Sequence, residues 1–336
     1  MTCPLAHRLT QLGKVLLSGL ALSMAAAMPA AAQSAASAPA WPNKPIRLVV
    51  GFAAGGVTEI MGRALAQRLS AQLNNPVYVD VRTGADSLLA SQNVARSEPD
   101  GYTLYFASAA HAVNQHMFKK SGIDAVADFS IISMYCDIPN VIAVNSSLPV
   151  KNLQEFIAYA KARKGQMNYS TSASGTFLAT ELFLRSTGID LQRVPYKGAA
   201  PGMLALLAND VQLIVTGIGT VTPYLDTNKI RVLAIASENR SVLAPNVPTA
   251  IESGVPNHTT STWYALIGPP KMPRELVTRL NAETRKALAD PEFVNSLIKL
   301  GAVPQPTTPA EAEAFIRSEV EKWRKVIVAT NSQISD

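Results

Sequence analysis

The sequence is poor in cysteine, histidine and unbroken apolar runs, and each shortage removes a class of explanation. There are two cysteines, Cys3 and Cys136. Cys3 precedes an N-terminal apolar stretch and is expected to leave with it, so one thiol remains and no internal disulfide can form. Stability must then come from a core. Beyond the N-terminus no segment approaches the ~20 consecutive apolar residues of a spanning helix, which points to a soluble mature protein. Of the four histidines, His7 lies in the N-terminal stretch. His111, His116 and His258 fit neither an HExxH pair nor a sequential Cys/His pattern, so no metal is expected. No serine sits in a GxSxG elbow, and catalysis is not expected.

What is present begins with a basic start (His7, Arg8, Lys14), an apolar core from Val15 through Ala27, and Ala30-Ala31-Ala32. That is the pattern of a secretory signal peptide over residues 1–32, cleaved after Ala32, with location in the periplasm. An uncleaved anchor is the weaker alternative, because the run is short and rich in small residues. Residues 33–45 read as an Ala/Ser/Pro linker. About 300 residues remain, enough for two ordinary domains. Lys and Arg number 30 against 24 acids, and losing Arg8 and Lys14 takes the excess from +6 to +4. Apart from Lys119-Lys120 the basic residues are scattered, so nucleic acid is not an expected partner. A mild positive balance suits an anionic small ligand.

The mature chain is organised around residues 46–59. Ile46-Arg47-Leu48-Val49-Val50 reads as a buried parallel strand, and after Gly55-Gly56 the residues Met61, Leu65, Leu69 and Leu73 recur at helical spacing. The glycines therefore sit at a strand-to-helix turn, where free amides of the first helical turn suit an anion. The same glycines also serve a tight turn and nothing more. The loop has neither the Lys-Ser/Thr ending of a P-loop nor GxGxxG spacing, and no cofactor is expected.

From there strands and helices alternate, predicting an α/β fold of βαβ units. Strands are expected at 76–81, 102–107, 129–137, 141–144, 167–170, 191–194, 211–215 and 231–236, with helices at 87–96, from 152, at 176–185 and at 202–208. Residues 262–267 read as a crossing strand. Three helices close the chain, opened by Pro273, by Asp290-Pro291 and by the capping box Thr308-Pro309-Ala310-Glu311. This predicts lobe 1 over 46–133 plus 262–336 and lobe 2 over 134–261, with a cleft between them.

The strand-end loops facing that cleft supply the candidate site: Phe52, Gly55, Gly56, Thr58, Glu59, Asp86 and Ser108 from lobe 1, and Ser172, Ser174, Gly175, Thr176, Tyr196 and Thr216 from lobe 2. Two helix starts are expected to face one carboxylate. Plain helix capping is the competing use for Ser172, Ser174 and Thr176, and packing for Tyr196. Asp86 pairs with an amine or caps a helix beginning at Ser87, capping being the favoured use. His111 lines the cleft or is packed.

The residues Trp41-Pro42-Asn43-Lys44-Pro45-Ile46-Arg47, Phe52 with Gly55-Gly56, Pro99-Asp100-Gly101-Tyr102-Thr103-Leu104, Pro195-Tyr196-Lys197-Gly198, Pro245 with Pro248-Thr249, and Leu288-Ala289-Asp290-Pro291 occur in order. In them the chain resembles the Bug-type solute receptors of tripartite tricarboxylate transport systems, from Trp41 to about Trp323. The resemblance implies a type II periplasmic binding protein fold whose lobes close on a carboxylate. It carries Phe52, Gly55, Gly56 and Thr58, and Ser172, Ser174, Gly175 and Thr176, over as ligand residues. Departures from the family pattern fall at Ala53-Ala54, Val57, Glu59, the Thr83-Gly84-Ala85-Asp86-Ser87 turn and Phe177. The expected protein is a monomeric receptor that delivers a small carboxylate to membrane carrier subunits. The alternatives are a receptor docking on a sensor kinase and a small hydrolase.

Overall fold

The computed structural model describes residues 41–333. The signal-peptide reading, cleavage point included, lies outside the described residues. The described residues from Lys44 onward form one compact unit.

Strand β1 (Ile46–Val50) leads through the glycine turn into helix α1 (Val57–Leu73), whose Met61, Leu65, Leu69 and Leu73 are buried as the spacing predicts. Then come β2 (Val77–Val81), α2 (Leu88–Ala95), β3 (Thr103–Ser108) and α3 (Ala110–Met117). Strand β1 pairs in parallel with both β2 and β3. Helix α3 was not foreseen. Its sequence Ala-His-Ala-Val-Asn-Gln-His-Met has no capping residue before it, and its burial comes from contact with the C-terminal helix, which no local pattern reveals.

A single strand, β4 (Ser130–Asn145), replaces the two expected around Pro139. It survives the proline because Pro139 stands at the changeover of partners. Up to Pro139 β4 runs antiparallel to β9 (Ser261–Gly268), and from Asn140 it runs antiparallel to β7 (Leu213–Gly217). A missing N–H is cheapest where one ladder ends and the next begins. The second series is α4 (Leu153–Lys161), β5 (Asn168–Thr171), α5 (Ser174–Thr187), β6 (Gln192–Pro195), α6 (Ala199–Ala208), then β7, the short α7 (Ile218–Val221) and β8 (Ile230–Ile235). Asn152 caps α4 by accepting from Glu155 N at 2.9 Å, as its capping pattern predicts.

After β9 the chain adds α8 (Arg274–Ala287), α9 (Pro291–Lys299), the two-residue β10 (Val303–Pro304) and α10 (Pro309–Thr330). The whole is one curled mixed sheet, ordered β2-β1-β3-β9-β4-β7-β5-β6, with β8 and β10 also paired to β4. Helix α10 is pinned through buried Glu319, whose Oε2 accepts from Trp263 Nε1 at 3.1 Å and Trp323 Nε1 at 3.0 Å while Lys322 pairs with Oε1. Of the stripe Ile316, Val320, Trp323 and Ile327 that helical spacing predicts, Ile316, Trp323 and Ile327 are core and Val320 is only partly buried against it. Where α7 meets the segment after α9, a Cβ on Gly219 would lie 2.2 Å from Leu300 O. Glycine is required there because two backbones touch.

Candidate functional site

At the C-terminal ends of β5 and β7 a small recess, too tight for a water molecule, is lined by Ser170 and Thr171 of β5, Ser172 after it, Thr176 of α5, Ala199 and Gly202 of α6, and Ile214, Val215 and Thr216 of β7. Hydroxyl residues enter it because β5 ends in Ser-Thr and β7 in Thr-Gly, each where the chain turns toward a helix. Thr176 Oγ1 donates to Ala173 O and accepts from Ala173 N at 3.3 Å, so it does cap its own helix. Thr216 Oγ1 donates to Thr220 Oγ1 at 3.2 Å. Ser170 differs. Only 2% exposed, its Oγ has no hydrogen-bond partner among the described residues, a costly condition for a buried hydroxyl. The sequence places Ser170 at the end of the 167–170 strand and not among the candidate binding residues.

The turn between β2 and α2 reaches across to this loop. Asp86 Oδ2 accepts from Ser174 N at 3.1 Å and also from Ser174 Oγ. A carboxylate thus sits at the first turn of α5, where free amides and the helix dipole favour negative charge. It belongs to the protein. The favoured expectation for Asp86 is corrected: α2 begins at Leu88, its N-cap Ser87 makes no side-chain cap bond, and Asp86 serves the first turn of α5 instead. The reason is backbone conformation. Ala85, Asp86 and Ser87 have φ of 45°, 50° and 73°, a left-handed run that costs roughly 1–2 kcal/mol per residue without glycine. It turns the Asp86 side chain away from α2. Gly51 makes room for it, since a Cβ there would fall 2.2 Å from Ser87 Cβ. Burial pushes the Asp86 carboxyl above the ordinary aspartate range, and the Ser174 bonds work in the opposite direction.

The glycine turn is more self-contained than its sequence suggests. Gly55 N donates to Glu59 Oε2 at 3.3 Å and Gly56 N to Ala53 O at 3.3 Å, so neither amide is spare. Glu59, 4% exposed, is also ion-paired with Arg63. Thr58 Oγ1 lies 3.2 Å from the Tyr264 hydroxyl, tying α1 to β9, and buried Ser108 is in register with Tyr264. Phe52 is half-buried beside this turn. Tyr196 donates its N–H to Thr171 O at 2.8 Å, and its ring faces Gly202. Gly175 is half-buried, with open space where a Cβ would be. Among the described residues no hydrogen bond joins the 52–59 loop to the 170–176 loop; Asp86 makes the crossing. His111 is packed, 0% exposed, with Nε2 at 2.9 Å from Ala125 O and Nδ1 at 3.1 Å from Ser91 Oγ.

Two α/β series sharing crossing strands, with strand-end loops meeting between them, define a type II periplasmic binding fold. The description of the tripartite tricarboxylate transporter family receptor matches residues 61–332, and the chain belongs to that family of solute receptors. BugT of Bordetella pertussis is 33% identical over 302 residues, 89% of this chain and 93% of its own. An R. palustris protein solved with adipate superposes with a TM-score of 0.79 at 33% identity, covering 85% of this chain and 97% of that one. MatC from Rhodopseudomonas palustris, solved with bound malate, gives 0.77 at 27% identity, covering 85% and 100%.

Proposed function

We propose that this chain is a periplasmic receptor that captures a small carboxylate between lobe 1 (46–133 with 262–336) and lobe 2 (134–261), then presents it to a tripartite tricarboxylate-type carrier. One observation carries the reading. The first turn of α5 already holds a carboxylate, that of Asp86, through one amide and one hydroxyl. The relatives solved with adipate and malate support an organic acid as cargo. The residues proposed to meet the ligand are Ser172, Ser174, Gly175, Thr176, Tyr196 and Thr216, with Ser170 added, opposite Phe52, Gly55, Gly56, Thr58, Glu59, Asp86 and Ser108. Closure would exclude water and strengthen each charge-assisted bond to the acid.

A thermal-shift screen against aromatic acids, dicarboxylates, citrate and amino acids tests this. A ligand at 100 times its Kd adds about 2.7 kcal/mol of stability. Gly55→Val is expected to lower the melting point through strain at φ +81° and to abolish the ligand-induced shift. A shift equal to that of wild type would remove the glycine turn from the site. Indifference to every acid would end the receptor reading.

A further inference from the structure

Among the described residues Asp86 has no cationic partner. Among the described residues its carboxylate forms no ion pair; both of its hydrogen bonds fall on Oδ2, and Oδ1 receives none. Beside it, Asn114 Nδ2 donates to Asp86 O at 2.7 Å, while Asn114 Oδ1, fully buried, also lacks a donor. The buried hydroxyl of Ser87 in the same turn is likewise without a partner among the described residues. The hydroxyl side, with Ser170 Oγ unpartnered in the recess, lies across the Ser174 contact. Glu59, in the first turn of α1, is ion-paired with Arg63. Asp86 thus presents a carboxyl with no basic partner among the described residues.

We propose that Asp86 is a specificity-determining residue: it supplies from the chain the carboxylate that a dicarboxylate would bring to the start of α5, and so selects a monocarboxylate whose far end is an ammonium. This rests on the receptor reading above and narrows it. A second ligand carboxylate near Asp86 meets a like charge, which disfavours ionisation of both. An ammonium there forms a charge-assisted bond to Oδ1 and compensates a partly buried charge. Three left-handed residues in a row hold Asp86 in this place, and backbone strain of that kind persists where the surroundings enforce it.

The test uses matched pairs that differ only at the far end: 3-aminopropanoate and succinate, 4-aminobutyrate and glutarate, 5-aminopentanoate and adipate. Calorimetric titration of the mature protein is expected to show the amino acid of at least one pair bound more tightly than its diacid. In Asp86→Asn that preference should fall by about 10- to 100-fold, the worth of a hydrogen bond to a charged group. Diacids preferred throughout, or a preference unchanged in Asp86→Asn, overturn the role of Asp86 and leave a carboxylate receptor standing. Silence toward all six acids overturns the assignment. Silence toward the wider acid screen as well overturns the receptor reading.

Discussion

Acidification is expected to weaken this protein through His111. Its ring is fully buried, edge-on to Phe129 at 4.6 Å and to Tyr105 at 5.7 Å. The carbonyl of Ala125 can only accept, so Nε2 carries the proton and Nδ1 accepts from Ser91 Oγ. A second proton would bury a charge and oppose the Ser91 hydroxyl. Burial accordingly holds the pKa down at about 4 from 6.5, although the Ala125 bond and Asp124 act to raise it. That depression is worth ~3 kcal/mol. The unfolded chain takes up a proton below pH 6.5 and the folded chain only below about 4, so the contribution is intact above 6.5 and is lost as pH falls to 4. His258, 1% exposed and without a hydrogen-bond partner among the described residues, is likewise held at about 4 by burial and adds a second fall of the same sign. Urea unfolding at pH 7, 5.5 and 4 measures this. His111→Gln is expected to be less stable at pH 7 yet to lose ~3 kcal/mol less on acidification. Parallel stability curves for wild type and variant would refute the reasoning.

Gly219→Ala is expected to destabilise by ~1–3 kcal/mol or more, because Leu300 O stands 2.2 Å from the new Cβ and is itself backbone; an unchanged urea midpoint would contradict this. Thr308→Ala removes the acceptor for Glu311 N and a donor to the Glu311 carboxylate. It should cost ~0.5–2 kcal/mol, with Thr308→Ser spared, both read from melting temperatures.

Elements whose causes are local were legible in the chain. The spacing of Met61, Leu65, Leu69 and Leu73, the Asn152–Glu155 and Thr308–Glu311 capping patterns, and Asp290 accepting from Phe293 N at 2.9 Å each involve residues within a turn or two of one another. So were the hydroxyl-rich strand ends that line the recess. The continuous β4 was not. Whether Pro139 breaks a strand depends on what stands opposite it, and β9 lies more than a hundred residues further on. The same holds for α3, whose burial comes from α10.

Composition and order of residues by themselves determined an α/β chain of two series with hydroxyl- and glycine-rich strand ends, because period, caps and turns are short-range. The tertiary structure decided what those ends hold. Gly55 N is engaged by Glu59 and the first turn of α5 by Asp86. The Asp86–Ser174 pairing spans 88 positions and depends on a left-handed turn that fits only because Gly51 leaves space beneath it. Side-chain direction set by backbone strain and distant packing has no signature in local spacing.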